Sequence, residues 1–453
     1  MVDVLFAGGR VVDVRGRTSR IANVAVEHGT IVDISPNELP ARRVVDASGL
    51  VVAPGFIDVH SHLDGHPYAG RLSAQQGITT TVGGNCGLSP LDFEKWFAGQ
   101  EQAGYVIHQA ELVGHSFSLR RAAGITDVNV KASREEIREM VRIAKKALDA
   151  GASGVSLGLD YSPGAGLAEI DAMAGAAAEY GRCLAVHTRL FTQNDLYSLY
   201  EVLAAVKRTG GRLLLSHFVY QYSGFGTLRP ALDIVDNARA QGLDVWTDSG
   251  MYTDWATYAG TATFDEQTVK DNSLRFGDMV AATGKYTGTR LNRELFELLR
   301  RKYPDESIIV YSGMPDEVYE ALDKPYAMMS TDAAGYAAGE GHPQIAGSYP
   351  RFLRKAVREK RLFSLEEAVY KCTLLPAQTY SLRGKGVLEP GYDADITLFD
   401  PETVCDNAKM PDKGEPDAPP TGIPYVMIAG TFAVDGGVFQ DTRSGRVIRF
   451  TQT

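Results

Sequence analysis

Cysteine is scarce in this sequence: Cys86, Cys183, Cys372 and Cys405 are the only four in 453 residues, and none forms a C-x-x-C pair. A chain of this length needs no disulfide framework to hold a core, so a reducing cytoplasm is the expected setting. No uninterrupted apolar run is long enough to cross a bilayer, and no membrane role is expected. The opening stretch, "MVDVLFAGGRVVDVRG", lacks the basic-then-apolar order of a secretory signal. Basic blocks are missing as well. The formal net charge is −10 without a Lys/Arg-rich stripe, which excludes a nucleic-acid surface. No fixed-period repeat is present beyond an alternation of strand and helix patterns. Histidine is sparse, with nine in all, yet His60, His62 and His66 fall within "DVHSHLDGH".

Apolar residues make up 44% of the chain and charged residues 23%, the balance of a globular protein. Both ends read as short β-runs broken by Gly- and Pro-containing turns, such as "NVAVEHGTIVDI" near the start and "PYVMIAGTFAVDGGVF" near the end. This predicts one small β-sandwich domain assembled from residues 1–54 and 386–453. Between them, apolar β-runs alternate with helical patterns. Eight strands can be read: "GFIDVHSH", "ITTTVGGNC", "VIHQAELVGH", "ASGVSLGLDY", "CLAVHTR", "RLLLSHF", "LDVWTDSG" and "YAMMSTDAA". The clearest helix is "SREEIREMVRIAKKALDAG", with a Ser start, early glutamates, late lysines and a Gly stop. The fold class is therefore α/β, a (β/α)8 TIM-type barrel over residues 55–385. A long interval at about 251–325 reads as an insertion, either a lid over the site or a decorative helical pair.

In such barrels chemistry sits at the C-terminal ends of the strands. Those ends carry His60 and His62, then Cys86, His115, His187, His217 and Asp332. A lone strand histidine is ordinarily a hydrogen-bonded core residue, and a lone cysteine a buried inert thiol. Convergence from separate strands reverses that reading. His60 and His62 lie at i and i+2, so both point to one face of a strand. Imidazole, thiolate and carboxylate together suit zinc. His115 reads as structural. His66 and Asp64 support the site without being ligands, and the other three cysteines are core residues.

The stretch "DASGLVVAPGFIDVHSHLD" resembles the first-strand signature of the amidohydrolase superfamily. "GNCGLSP", "AELVGHSFSLR", "GVSLGLDYSPG", "AVHTR", "LLLSH" and "MSTDAAG…HPQIAGSYPRFLRK" resemble its N-acyl-D-amino-acid deacylase (D-aminoacylase) branch. The resemblance spans nearly the whole chain. It implies a zinc hydrolase of non-peptide C–N bonds. Cys86, His187 and His217 match the ligands of one tightly bound zinc, and His60, His62 and Asp332 match a second, weaker position. Asp332 also matches the general acid/base, while Tyr161 and Arg189 match residues near the substrate. Many amidohydrolases bridge two metals with a lysine on the fourth strand; "GVSLGLDY" has none, which leaves Cys86 for that place.

The sequence departs from the branch at two positions. A lysine is usual two residues after the sixth-strand histidine, and an arginine after His-Pro; here these are Val219 and Gln344. The pocket for a substrate carboxylate is thus expected to be altered. The expected partner is a small-molecule amide, with a homo-oligomer left open. The alternatives are a cyclic amide hydrolase of the hydantoinase or dihydropyrimidinase type, disfavoured by the missing lysine, and a catalytically inactive barrel scaffold, disfavoured by the six ligand-type side chains.

Overall fold

The computed structural model describes residues 1–189, 195–224 and 226–450. Eight parallel strands form the barrel: β1 (Phe56–Asp58), β2 (Ile78–Gly83), β3 (His108–Gly114), β4 (Gly154–Gly158), β5 (Cys183–His187), β6 (Arg212–Leu215), β7 (Val245–Ser249) and β8 (Ala327–Met329). They pair in sequence order from β1 to β8, and every expected strand contains one of them. Most of their residues are buried on both faces, as parallel strands covered by helices require. The ring is joined between its ends by the segments that follow β1 and β8. Ser61 and His62 pair in parallel with Ala333 and Ala334. The Asp58 carboxylate accepts hydrogen bonds from the backbone N–H groups of His60 (3.2 Å) and Thr331 (3.0 Å).

The helix Arg134–Asp149 forms where the pattern places it. Ser133 and Glu136 make a reciprocal capping box at its start, and Met140, Ala144, Ala147 and Leu148 face the core. Strands from both chain ends hydrogen-bond into one nine-stranded sheet. Val51–Pro54 is its seam, pairing with the N-terminal strand Val2–Asp13 on one side and with Ile396–Phe399 on the other. Phe6, Val24 and Val45 share one core with Ile396, Leu398 and Met427. Residues beyond this sheet run back under the barrel, where Gly445 and Ile448 donate backbone hydrogen bonds to Tyr105 and Gln109.

The interval between β7 and β8 is not a helical pair. It holds a three-stranded antiparallel sheet, Trp255–Tyr258, Met279–Ala281 and Ser307–Val310, with helices at Glu266–Asp271 and Arg293–Lys302. Phe264, Phe296, Leu299 and Ile308 give it a core of its own.

Candidate active site

Six side chains meet at the C-terminal mouth of the barrel. His60 and His62 follow β1, Cys86 follows β2, His187 ends β5, His217 follows β6 and Asp332 follows β8. Three sets bring their ligand-type atoms within 4.8 Å of one another: Cys86 with His187 and His217, Cys86 with His60 and His62, and His60 with His217 and Asp332. Cys86 belongs to two of the sets. Its Sγ lies 3.4 Å from His60 Nε2, 3.5 Å from His187 Nδ1 and 3.6 Å from His217 Nε2. Asp332 Oδ1 lies 3.4 Å from His60 Nε2 and 3.3 Å from His62 Nε2.

The backbone is bent out of its ordinary range to achieve this. Cys86 (φ 53°), His217 (φ 34°) and Asp332 (φ 55°) all occupy the left-handed region. Such a conformation costs an L-residue roughly 1–2 kcal/mol and persists only where the surroundings hold it. The turn at Cys86 also needs room. A Cβ at Gly158 would lie 2.1 Å from the Cys86 carbonyl oxygen, so only glycine lets β4 pass this close.

The electrostatics are those of a cation site. Burial opposes ionisation of the Cys86 thiol, yet His60 and His187 hold its pKa well below the ordinary thiol range. Burial also opposes charge on the imidazoles, but Asp248 and Cys86 hold His60 well up. Asp332 and Cys86 lift His62 to about 10, and Cys86 and Asp160 lift His187 to about 9. Neighbouring imidazoles bias both the Cys86 thiol and the Asp332 carboxyl toward their anionic forms. A divalent cation supplies positive charge there while the imidazoles bind it neutral. His217 Nδ1 is buried and finds no hydrogen-bond partner among the described residues. The donor set, its spacing and its charge therefore fit a metal.

Two carboxylates that sequence reading missed orient the histidines. Asp160 lies 3.1 Å from His187 Nε2, on the edge away from Cys86. Asp248 at the end of β7 accepts from the His217 backbone N–H (2.9 Å) and the Ser330 hydroxyl (2.6 Å), and sits 3.4 Å from His60 Nδ1. Their signal was an acid at the mouth end of a buried strand, where apolar residues are otherwise the rule.

A cavity of about 740 Å³ opens above the cluster. Tyr161 lines it, with its ring 4.8 Å from that of His187 and its hydroxyl 3.2 Å from Thr257 of the insertion. Arg189 also lines it, with the guanidinium held by Glu201 and by the carbonyls of Pro163 and Ala165. Trp255, Tyr258 and Tyr311 bring the insertion to the cavity wall. His115 lies outside the cluster, buried against Glu169 at 2.9 Å. His66 caps the helix Pro67–Gln75, and Asp64 lines the cavity. Val219 is buried in the barrel core and does not reach the cavity.

Comparison with known proteins agrees with this geometry. The amidohydrolase family model matches residues 51–432. N-acyl-D-glutamate deacylase of Alcaligenes xylosoxydans xylosoxydans is 33% identical, covering 99% of this chain and 96% of its own. D-aminoacylase of the same organism is 30% identical, covering 99% and 98%. The crystal structure of N-acyl-D-glutamate deacylase from Bordetella bronchiseptica is 32% identical, with a TM-score of 0.87 over 99% of each chain. That protein is complexed with zinc and a phosphonate inhibitor that mimics the tetrahedral intermediate. This chain belongs to the amidohydrolase family and is a hydrolase of amide C–N bonds.

Proposed function

We propose that the protein is a zinc-dependent deacylase of the N-acyl-D-amino-acid type, acting on a small amide in the cavity above the cluster. The observation that carries this is the convergence of six ligand-type side chains from five strands at the head of that cavity. Cys86, His187 and His217 would hold the tightly bound zinc, and His60, His62 and Asp332 a second, weaker ion, with Cys86 between them. Zinc, when bound, supplies Lewis acidity to a carbonyl and makes water nucleophilic near neutral pH. Asp332 accepts the proton of the attacking water and passes it to the leaving nitrogen, since an amide anion does not leave unprotonated. Tyr161 walls the cleft beside His187. Arg189 faces the substrate while fixing the segment around Pro163 and Ala165.

The carboxylate side of the pocket is altered. Val219 is turned into the core, and Gln344 is an uncharged amide that contacts Tyr220 and the Asp332 backbone. A substrate carboxylate is therefore held less firmly than cationic partners would hold it.

The test is metal analysis of the purified protein followed by assay on N-acetyl-D-amino acids, their carboxamides and cyclic imides. Bound zinc and hydrolysis of the open-chain compounds support the proposal. Turnover of cyclic imides alone would move the function to the hydantoinase type. Metal-free protein that stays inert after zinc is supplied would overturn it.

A further inference from the structure

We infer that Gln344 is a positioning residue for Asp332, standing in place of a substrate contact. The inference rests on Asp332 acting as the proton carrier of the proposed reaction. Gln344 is buried, with 1% exposure, in the first turn of the helix Gln344–Phe352 and is absent from the cavity wall. Its Nε2 donates to the Asp332 carbonyl oxygen, and its Oε1 accepts from the Tyr220 hydroxyl at 2.7 Å. The orientation of the amide is forced, because the Asp332 carbonyl can only accept. Its own backbone N–H donates to His342 Nδ1 at 3.2 Å. Buried beside Tyr252, with ring centroids 5.0 Å apart, His342 serves as a neutral acceptor.

The chain His342–Gln344–Asp332 thus ties the β8 segment to a fixed helix start. The Asp332 peptide needs such a tie, because its φ of 55° lies where an ordinary residue does not stay unaided. Tyr220 extends the tie to the segment after β6. It lies three residues beyond His217, with its ring 5.7 Å from that imidazole and its side chain on the cavity wall. One uncharged side chain therefore sets the relative position of the proton carrier and a candidate ligand strand.

A change in proton-carrier position is read by varying the leaving group. An amide needs its nitrogen protonated to leave, whereas a p-nitrophenyl ester does not. For Gln344→Met, which keeps length and loses both hydrogen bonds, kcat on an N-acyl alkylamine is expected to fall about 100-fold, and on the matched p-nitrophenyl ester about tenfold or less. KM and zinc content should stay within about twofold of the parent. Tyr220→Phe, which removes one hydroxyl, should show the same leaving-group bias at smaller size. Combining the two changes should cost less than the product of the single effects, because both act through one bridge. Equal losses on amide and ester, or loss of zinc, in both single variants would make Gln344 a structural residue and overturn the inference. A parent protein that hydrolyses neither these two compounds nor N-acetyl-D-amino acids or their carboxamides would instead sink the reading of the site itself.

Discussion

Asp332 holds its carboxylate on backbone that L-residues avoid, between two imidazoles and an amide clamp. That arrangement is consistent with a proton carrier whose position matters more than its local comfort. Burial opposes its ionisation, but His62 and His60 keep its pKa below the ordinary carboxylate range, so it is charged at neutral pH. Asp332→Asn is expected to lower kcat by about 10²–10⁴-fold, the usual worth of general acid/base transfer. Zinc at Cys86, His187 and His217 should remain, as measured by metal analysis. Cys86→Ala should have the opposite signature: the zinc content itself falls, and activity with it. Asp160→Asn should weaken zinc affinity or activity by about 10–100-fold through the orientation of His187, read by competition with a chelator. The candidate ligands were legible because metal-binding residue types are rare and stood at strand ends. Asp160 and Asp248 were not, because carboxylates are common and nothing local marks which imidazole they will meet.

At the scale of elements, the strands and the helix Arg134–Asp149 follow from patterns that local physics enforces. A strand buried on both faces must be continuously apolar, and an amphipathic helix must repeat near 3.6 residues. The insertion was less legible. Its strand Trp255–Tyr258 is only partly buried, and the helix Arg293–Lys302 dominates the local pattern. Its three strands are held by pairing with one another across many residues, which no window of sequence displays. Trp255 reaches the cavity from this sheet and stacks on Phe264 behind it. Trp255→Ala should therefore raise KM several-fold, roughly the worth of one aromatic contact, with kcat little changed. Steady-state kinetics on one substrate checks this, and a fall in kcat without a change in KM would contradict it.

At the scale of the whole molecule, a buried ion cluster fastens the β-sheet unit to the barrel. Asp395, one residue before the strand Ile396–Phe399, accepts from His108 Nε2 at 3.0 Å at the start of β3. It also accepts from Lys385, and His108 Nδ1 accepts the Arg446 backbone N–H at 3.0 Å. Burial opposes the Asp395 charge, but His108 and Lys385 outweigh it and hold the pKa below the usual 3.8. A carboxylate with a lowered folded pKa stabilises fully above its unfolded value and loses that contribution as pH falls through the folded one. Asp395→Asn should destabilise by about 1–3 kcal/mol at neutral pH, since it weakens the buried acceptor of His108 and leaves Lys385 with Asp393 alone as its carboxylate partner. Thermal melts should show the full gap between variant and parent above about pH 5, narrowing below about pH 4.

Taken alone, the sequence determined the eight strands, their order, the split β unit and which residue types stand at the barrel mouth. Each of these is written in periodicity and in rare residues, which act over a few positions. Only the tertiary structure decided that Asp160 and Asp248 meet His187 and His60, that Val219 is turned into the core, and that Gln344 grips the Asp332 backbone. Those outcomes depend on the left-handed turns after β2, β6 and β8 and on side chains more than a hundred positions apart meeting at one point. The free energy that sets them is shared across the closed barrel, so no single segment carries it.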